Sequence, residues 1–280
     1  MRTPTIAFEF FPPKNDEFSK HLWDAVPKLI RYNPHYMTVT YGAGGSTKDG
    51  TLSALSKMKS LSPIPLASHL TFLSTPKADL DQYLDTLWDM GVHHIVALRG
   101  DLPKGTSYSD FTGSHYYDYT SNFITAIKAR HPFEISVGAY PEKHPDAPDL
   151  DSDIAALKLK CDAGATRAIT QFFFDNDVYF RFLDKAEKAG IRTPLYPGLL
   201  PIHDFKGMCN FAKRCQASVP EWLHAKFDPV QDNHTEAMKI ATDLLVEQTR
   251  TLAAQGIKHI HFYSMNKDTI VSDAVEALGY

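Results

Sequence analysis

The chain alternates short, apolar, β-rich segments with amphipathic helical stretches eight times, and this alternation constrains its fold more than any other feature. Strands are predicted at 6–11, 36–41, 65–70, 94–100, 134–140, 167–173, 194–200 and 259–265. Helices are predicted between them, most clearly at 16–32, 78–90 and 235–255. Strict alternation of this kind is typical of a closed parallel (β/α)8 barrel, the TIM barrel, which we expect residues 1–280 to form as a single domain.

An open, doubly wound α/β sheet is the main structural alternative. Its first strand should run into a glycine-rich phosphate-binding turn. Here the first strand runs into Pro12 and Pro13, which offer no backbone N–H group and cannot form that turn. A dinucleotide-binding sheet is therefore excluded, and the irregular stretch at 219–233 is the one candidate insertion in the barrel.

Composition and charge exclude several classes of function. The net charge is −4, with 29 basic and 33 acidic residues and no basic run, so no nucleic-acid partner is indicated. No apolar run is long enough to span a membrane. Cys161, Cys209 and Cys215 have neither disulfide-framework nor zinc-site spacing. Because the N-terminus also does not resemble a signal peptide, we expect a cytoplasmic protein.

Polar residues at the strand ends indicate where the chemistry lies, because (β/α)8 enzymes use the carboxyl ends of their strands. Glu9 shares one face of the first strand with Ala7 and Phe11, and this face should point into the barrel. A carboxyl group among phenylalanines should have a raised pKa, which suits a proton donor near neutral pH. Further polar residues expected at the same end are Thr38, Thr40, His69, Arg99, Asp101, Gln171 and Tyr263.

Each of these residues, taken alone, can equally be a hydrogen-bonded structural residue at a strand end. His93 and His94 do not form a metal site, because neighbours on a strand point to opposite faces. Tyr140 and His144 lie close together in the loop after the fifth strand, where they can flank a ring or a diphosphate. Asp153 and Lys160 share one face of the next helix, either as cofactor ligands or as a solvated surface.

Eight segments in order resemble the motifs of the methylenetetrahydrofolate reductase family over essentially the whole chain. They are FEFFPPK, VTYGAGG, ASHLT, HIVALRGDLP, AYPEKHP, DAGATRAITQFFFD, PGLLPI and HFYSMN. The resemblance implies an FAD enzyme of one-carbon metabolism and methionine supply. It would use NADH or NADPH to reduce 5,10-methylenetetrahydrofolate to 5-methyltetrahydrofolate, with ping-pong kinetics through the flavin. The regulatory domain of the eukaryotic enzymes has no counterpart in this sequence, and we expect a homo-oligomer.

The resemblance also implies roles for individual residues. Glu9 would be the general acid that opens the folate ring, Asp101 would stabilise the cationic intermediate, and Gln171 would hydrogen-bond the substrate. The implied FAD-binding residues are Thr40, Tyr41, Ala43, His69, Arg99, Gly100, Asp101, Tyr119, Thr120, Tyr140, His144, Asp153 and Lys160. The implied substrate-binding residues are Gln171, Tyr179, Phe211 and Lys267.

Three positions depart from the family pattern. Lys267 stands where an arginine is common, Leu159 where a second basic residue is common, and Gly207 where a polar substrate contact is common. These departures affect the expected affinity and the donor preference more than the reaction. The alternatives are another flavin barrel of the proline dehydrogenase type, a metal-dependent hydrolase or lyase that uses His69, and a noncatalytic flavin or folate binder.

Overall fold

The computed structural model describes residues 3–41 and 48–280. Within these ranges the strands are β1 Thr5–Phe10, β2 Tyr36–Val39, β3 Leu66–Thr71, β4 His94–Leu98, β5 Glu134–Ala139, β6 Arg167–Thr170, β7 Leu195–Tyr196, β8 Gly198–Leu199 and β9 His259–Tyr263. The helices are α1 Asp16–Ile30, α2 Lys48–Leu61, α3 Lys77–Asp89, α4 Thr120–Arg130, α5 Leu150–Asp162, α6 Asn176–Lys188, α7 Phe205–Cys215, α8 Glu221–Phe227, α9 His234–Ala254 and α10 Thr269–Glu276.

All strand pairs are parallel, and the sheet has the order β7-β6-β5-β4-β3-β2-β1-β9-β8. The two strands at the ends of this order, β7 and β8, are separated in sequence only by Pro197. One short segment therefore pairs with β6 on one side and with β9 on the other, which closes the sheet into a barrel. The predicted eight-strand barrel is confirmed, with its seventh strand broken at a proline that has no N–H group for the ladder.

Helices cover the outside of the barrel because each presents an apolar stripe to it. In α1, for example, Leu22, Val26 and Leu29 are buried, a spacing of three and four residues that keeps them on one side of the helix. Asn15 begins this helix by accepting a hydrogen bond from the Phe18 amide. The predicted insertion at 219–233 contains α8 and a following turn of 3₁₀ helix at Asp228–Val230.

Candidate active site

The alternation of side chains on β1 places Glu9 inside the barrel. Ile6, Phe8 and Phe10 are buried in the apolar layer between strands and helices. Ala7 instead packs in a small cluster in the barrel interior. Glu9 continues the face of Ala7 toward the carboxyl end, and only 7% of its surface is exposed. The predicted orientation of this strand is confirmed.

The Glu9 carboxylate contacts two imidazoles. Its Oε2 atom lies 3.2 Å from Nε2 of His69 and 3.3 Å from Nε2 of His261. Burial raises the pKa of Glu9, as expected, but the charge of His69 and the hydrogen bonds from both imidazoles lower this pKa by more. The pKa of Glu9 thus lies below its ordinary value, and our prediction of a raised pKa is wrong. The two imidazoles are the reason.

His261 is a site residue that sequence reasoning missed. It is fully buried and lies two residues before Tyr263 on β9, so both side chains point into the barrel. In the pairing of β1 with β9, Glu9 is opposite Tyr263 and Ala7 is opposite His261. Applying the strand alternation to 259–263 would have indicated His261, but only the pairing of the two chain-distant strands brings it to Glu9.

The end of β2 adds hydroxyl groups to this end of the barrel, one of them beside His69. Thr38 Oγ1 lies 3.3 Å from His69 Nε2. Thr40 is buried, and its Oγ1 atom has no hydrogen-bond partner among the residues that the structure describes. Tyr41 is partly buried, with its ring centroid 5.3 Å from that of Tyr83. Ala43, which the family pattern also implicates, lies outside the described residues.

The end of β4 carries the predicted charged residues. Gly100 has a φ of +90°, and a Cβ atom there would lie 2.8 Å from Cβ of Thr71, so this turn requires glycine. Arg99 donates to Asp146 Oδ2 over 2.7 Å, while its buried Nε has no partner within the described ranges. Asp101 is exposed next to this turn.

The loop after β5 brings Tyr140 and His144 together, as predicted, with ring centroids 4.7 Å apart. The helix α5 supports this loop, because Asp153 accepts a hydrogen bond from the His144 amide over 2.9 Å. Lys160 donates to the Gly138 carbonyl over 2.6 Å. Both side chains therefore hold the wall of the barrel end, and neither forms the solvated surface that we considered. Their direct contact with a cofactor stays a prediction.

The start of α4 lies in the segment that follows β4. Thr120 is the first residue of this helix, and Tyr119, which precedes it, is 71% exposed. The Tyr119 side chain does not cap the helix, so within this part of the structure the first backbone N–H groups are available to an anion. An exposed aromatic ring and a helix N-terminus are suited to the base and the phosphates of a dinucleotide.

The ends of β6 and α7 carry the predicted substrate residues. Gln171 Oε1 accepts a hydrogen bond from the Phe172 amide, and the Phe172 and Phe211 rings stack 5.3 Å apart. Both Gln171 and Phe211 stay partly exposed. Gly207 lies in the first turn of α7, where a Cβ atom would be 2.5 Å from Oδ2 of the capping Asp204. This departure from the family pattern therefore fits the local cap.

Tyr263 on β9 reaches past the seventh strand toward β6, where its hydroxyl donates to the Thr170 carbonyl over 2.7 Å. Gly198 permits this approach, because a Cβ atom there would lie 2.2 Å from the Thr170 carbonyl oxygen and 2.7 Å from the Tyr263 ring. Burial raises the pKa of the Tyr263 hydroxyl well above its ordinary value. Tyr263 therefore acts as a neutral hydrogen-bond donor in this position.

One predicted site residue belongs to the core. Tyr179 on α6 is fully buried, its ring stacks on Phe173, and its hydroxyl donates to the Leu195 carbonyl over 2.7 Å. Its side chain thus lies in the layer between α6 and the barrel, and the prediction that it lies near the opening is wrong. Tyr179, Phe182 and Ala186 are all buried, and their spacing of three and four residues could have indicated this apolar face from the sequence.

The residues at the carboxyl end of the barrel fit a flavin dinucleotide. The buried Thr40 Oγ1 and Arg99 Nε have no protein partner in the described ranges and can bond the polar edge of a ring system. Arg99 adds a fixed positive charge, and the uncapped start of α4 suits a diphosphate. The residues that would hold FAD are thus arranged along the carboxyl ends of β2, β3, β4 and β5.

Comparison with known proteins identifies the family. The family model described as methylenetetrahydrofolate reductase matches residues 1–279. The chain belongs to the methylenetetrahydrofolate reductase family. It is 37% identical over 262 residues to 5,10-methylenetetrahydrofolate reductase of Escherichia coli (strain K12). The aligned region covers 94% of this chain and 86% of that relative. Methylenetetrahydrofolate reductase (NADH) 1 of Arabidopsis thaliana is 33% identical and covers 94% of this chain and 46% of the relative.

Solved structures share the barrel of this reductase family member. An uncharacterised protein from Clostridium thermocellum that binds two copies of 5-methyl-5,6,7,8-tetrahydrofolic acid superposes with a TM-score of 0.62 at 15% identity, covering 99% of this chain and 94% of that one. A dihydropteroate synthase from Coxiella burnetii in complex with pteroic acid gives a TM-score of 0.51 at 12% identity, covering 99% and 92%. Both support the fold.

Within residues 3–41 and 48–280, no group of three or more histidine, cysteine, aspartate or glutamate side chains is arranged to hold a metal ion. None of the helices in these ranges combines the length and apolarity needed to cross a bilayer. All three cysteines are free thiols in α5 and α7.

Proposed function

We propose that this chain uses FAD to reduce 5,10-methylenetetrahydrofolate to 5-methyltetrahydrofolate, with NADH or NADPH as the electron donor. One observation carries the proposal: a buried carboxylate, Glu9, lies at the carboxyl end of a (β/α)8 barrel and is bonded to the imidazoles of His69 and His261. In a member of a folate reductase family, this carboxylate can pass a proton to the substrate from the imidazoles that bond its Oε2 atom.

The proposed cofactor site extends from β2 to α5. Thr40 and His69 would bond the ring edge, Arg99 would bond a phosphate or a ring oxygen, and the N-terminus of α4 at Thr120 would bind the diphosphate. Tyr140 and His144 would pack against the ribityl chain or the ribose, held by Asp153 and Lys160. FAD, when bound, supplies the hydride chemistry.

The role of the chain in the folate step is proton transfer. Glu9, ionised in the free protein, would receive a proton by way of the imidazoles at its Oε2 atom and give it to a nitrogen of the five-membered folate ring. The adjacent C–N bond would then break with its electron pair on that nitrogen. The methylene carbon becomes an iminium cation, which accepts a hydride and becomes the methyl group. The anion left on Glu9 is stabilised by His69 and His261, which already bond its Oε2 atom.

The remaining polar residues would hold the substrate and its charge. Asp101 is exposed beside the β4 turn, so its carboxylate can lie near the cationic intermediate. Gln171 would bond the pterin, and Phe211, already stacked on Phe172, would pack on the aromatic ring of the folate. Lys267 is exposed and would attract the carboxylates of the folate tail as a point charge.

Stopped-flow spectroscopy of the FAD-reconstituted protein tests this proposal. NADH and NADPH, mixed in turn with the protein, should bleach the yellow flavin, and the folate should restore the colour only after the nicotinamide has left, as ping-pong kinetics require. In Glu9→Gln, we expect the restoration to slow by about 10²- to 10⁴-fold, while the bleaching rate stays within about twofold.

Glu236→Gln is the matched control, because it removes an exposed carboxyl group from the first turn of α9 and should change neither rate. A protein that cannot retain FAD would contradict the proposal. Restoration of colour by the folate at the wild-type rate in Glu9→Gln would instead favour another kind of flavin barrel.

A further inference from the structure

The chain turns sharply just after β9, at the carboxyl end of the barrel. Lys267 donates its amide to the Ser264 carbonyl over 3.0 Å, which closes a four-residue turn. The two central residues, Met265 and Asn266, have φ values of +55° and +56°. Positive φ at both central positions is the mark of a type I′ turn, which normally contains asparagine or glycine. Methionine is strained there, so the surrounding contacts must enforce the turn.

In this turn, the Asn266 side chain takes the place of a β9 peptide group beside β1. Asn266 is 2% exposed, and its Oδ1 accepts the Phe11 N–H while its Nδ2 donates to the Phe11 carbonyl, both over 2.9 Å. Its carboxamide therefore makes the two bonds that a peptide group of β9 would make to an extended β1. β1 does not continue past Phe11, because Pro12 and Pro13 follow and proline has no N–H group for a ladder. The N–H and carbonyl groups of Phe11 are bonded instead by the Asn266 side chain.

The same turn holds the backbone of Glu9 itself. The Glu9 carbonyl accepts the Ser264 amide over 3.2 Å and the Ser264 hydroxyl over 2.5 Å. The backbone N–H of Asn266 donates to Ser264 Oγ over 3.2 Å. Glu9 and Phe11 are thus fixed on the β9 side, and the intervening Phe10 carbonyl is fixed by the Thr40 amide on the β2 side.

We propose that Asn266, assisted by Ser264, is a positioning residue that fixes the end of β1 and so sets the place of the Glu9 carboxyl group between His69 and His261. The inference rests on the proposed function of Glu9 as the proton donor. Asn266 would not touch the substrate. A proton donor displaced by about 1 Å can lose about 100-fold in rate, so two side-chain bonds to the adjoining backbone are enough to matter.

The test compares Asn266→Ala and Asn266→Asp with Asn233→Ala. Asn233 accepts the Glu236 amide at the start of α9, so its loss removes a side-chain-to-backbone bond outside the Glu9 turn. Asn266→Asp keeps an acceptor for the Phe11 N–H but sets a carboxylate oxygen against the Phe11 carbonyl. We expect flavin restoration by folate to slow by about 10- to 100-fold in both Asn266 variants, with bleaching by the nicotinamide unchanged.

A second readout does not depend on turnover. Difference infrared spectroscopy, with Glu9→Gln to assign the carboxyl band, gives the pH at which Glu9 ionises in each variant. We expect this pH to rise in Asn266→Ala, because the carboxylate moves away from the imidazoles, and to stay unchanged in Asn233→Ala. If Asn266→Ala does not fold, Ser264→Ala removes the hydroxyl bond to the Glu9 carbonyl and the bond from the Asn266 backbone N–H, and should give a smaller shift in the same direction.

The two proposals fail in different ways. An unchanged Glu9 ionisation together with wild-type half-reaction rates in the Asn266 variants would overturn the positioning role. Absence of folate reduction in the wild-type protein would overturn the proposed function, while the infrared titration would still show whether the turn holds Glu9 in place.

Discussion

The two ends of the barrel interior both contain buried histidines beside an ion, yet they are built for different purposes. At the carboxyl end, Glu9 bonds His69 and His261. At the amino end, Arg167 pairs with Glu134 and lies 3.3 Å from Nδ1 of His94. There Arg167, Glu134, His94 and Ser136 bond one another, whereas at the carboxyl end the buried Thr40 hydroxyl has no partner in the described part of the chain.

The ionisation of the two clusters differs accordingly. Burial lowers the pKa of His94 well below its ordinary value, and the charge of Arg167 lowers it further, so His94 is neutral and bonds Ser136 Oγ over 2.7 Å. Glu9 is instead held as an anion by groups that can themselves carry a proton. Similar side chains therefore stabilise the barrel at one end and, in the proposed function, transfer a proton at the other.

The largest expected effect comes from breaking the carboxyl end itself. In Gly198→Ala the new methyl group would lie 2.2 Å from the Thr170 carbonyl oxygen, so β8 must move away from its neighbours. We expect a loss of about 3 kcal/mol or more in the free energy of unfolding, measured by urea denaturation. Gly190→Ala, at a surface position with positive φ and open space, should cost about 1 kcal/mol. Equal losses would contradict the close approach of Tyr263.

At the amino end, Arg167→Met should separate stability from chemistry. The substitution removes the ion pair with Glu134 and the contact with His94 but keeps much of the side-chain volume. We expect the free energy of unfolding to fall by about 1 kcal/mol, because a buried charged group is lost beside His94 while Glu134 is solvated and His94 keeps its bond to Ser136. Both flavin half-reactions should stay within about twofold. A selective loss of the folate half-reaction would show that the two ends are not independent.

His261→Gln should sharpen the role of the carboxyl end. It removes one imidazole from Glu9 Oε2 while His69 remains, so the pKa of Glu9 should rise. The pH at which Glu9 ionises should therefore rise, measured by difference infrared spectroscopy with Glu9→Gln to assign the band. Asn233→Ala, outside the site, serves as the control. An unchanged ionisation of Glu9 would mean that His261 does not stabilise its anion.

His94→Gln gives the smallest effect, and it appears as a dependence of stability on pH. The pKa of His94 is lowered in the folded protein from its ordinary value of 6.5, so the unfolded chain binds a proton first as the pH falls. Folding therefore loses stability below about pH 6.5, by about 1 kcal/mol at one unit lower. The variant should lack this part of the loss in urea titrations at pH 7.5 and 5.5. Parallel curves would contradict it.

The sequence was informative where a short-range rule applied. Alternation along β1 correctly oriented Glu9, and the pair Pro12 and Pro13 marked the end of that strand. The raised pKa of Glu9 was predicted wrongly because contacts with His69 and His261, on two other strands, lower it, and these contacts depend on long-range strand pairing. Tyr179 was placed wrongly although its spacing from Phe182 and Ala186 marks the apolar face of α6. Long-range pairing is the information that local patterns lack.

The break at Pro197 has a consequence for the way the ring of strands is joined. The segment that closes the barrel pairs only two residues with β6, through β7, and two with β9, through β8. Few backbone hydrogen bonds therefore hold it. The Tyr263 hydroxyl donates to the Thr170 carbonyl and so connects β9 to the end of β6 across this weakly paired segment. The closed ring of strands thus depends in part on the hydroxyl of one tyrosine beside the proposed active site, and amide hydrogen exchange should be fastest in the strands on either side of it.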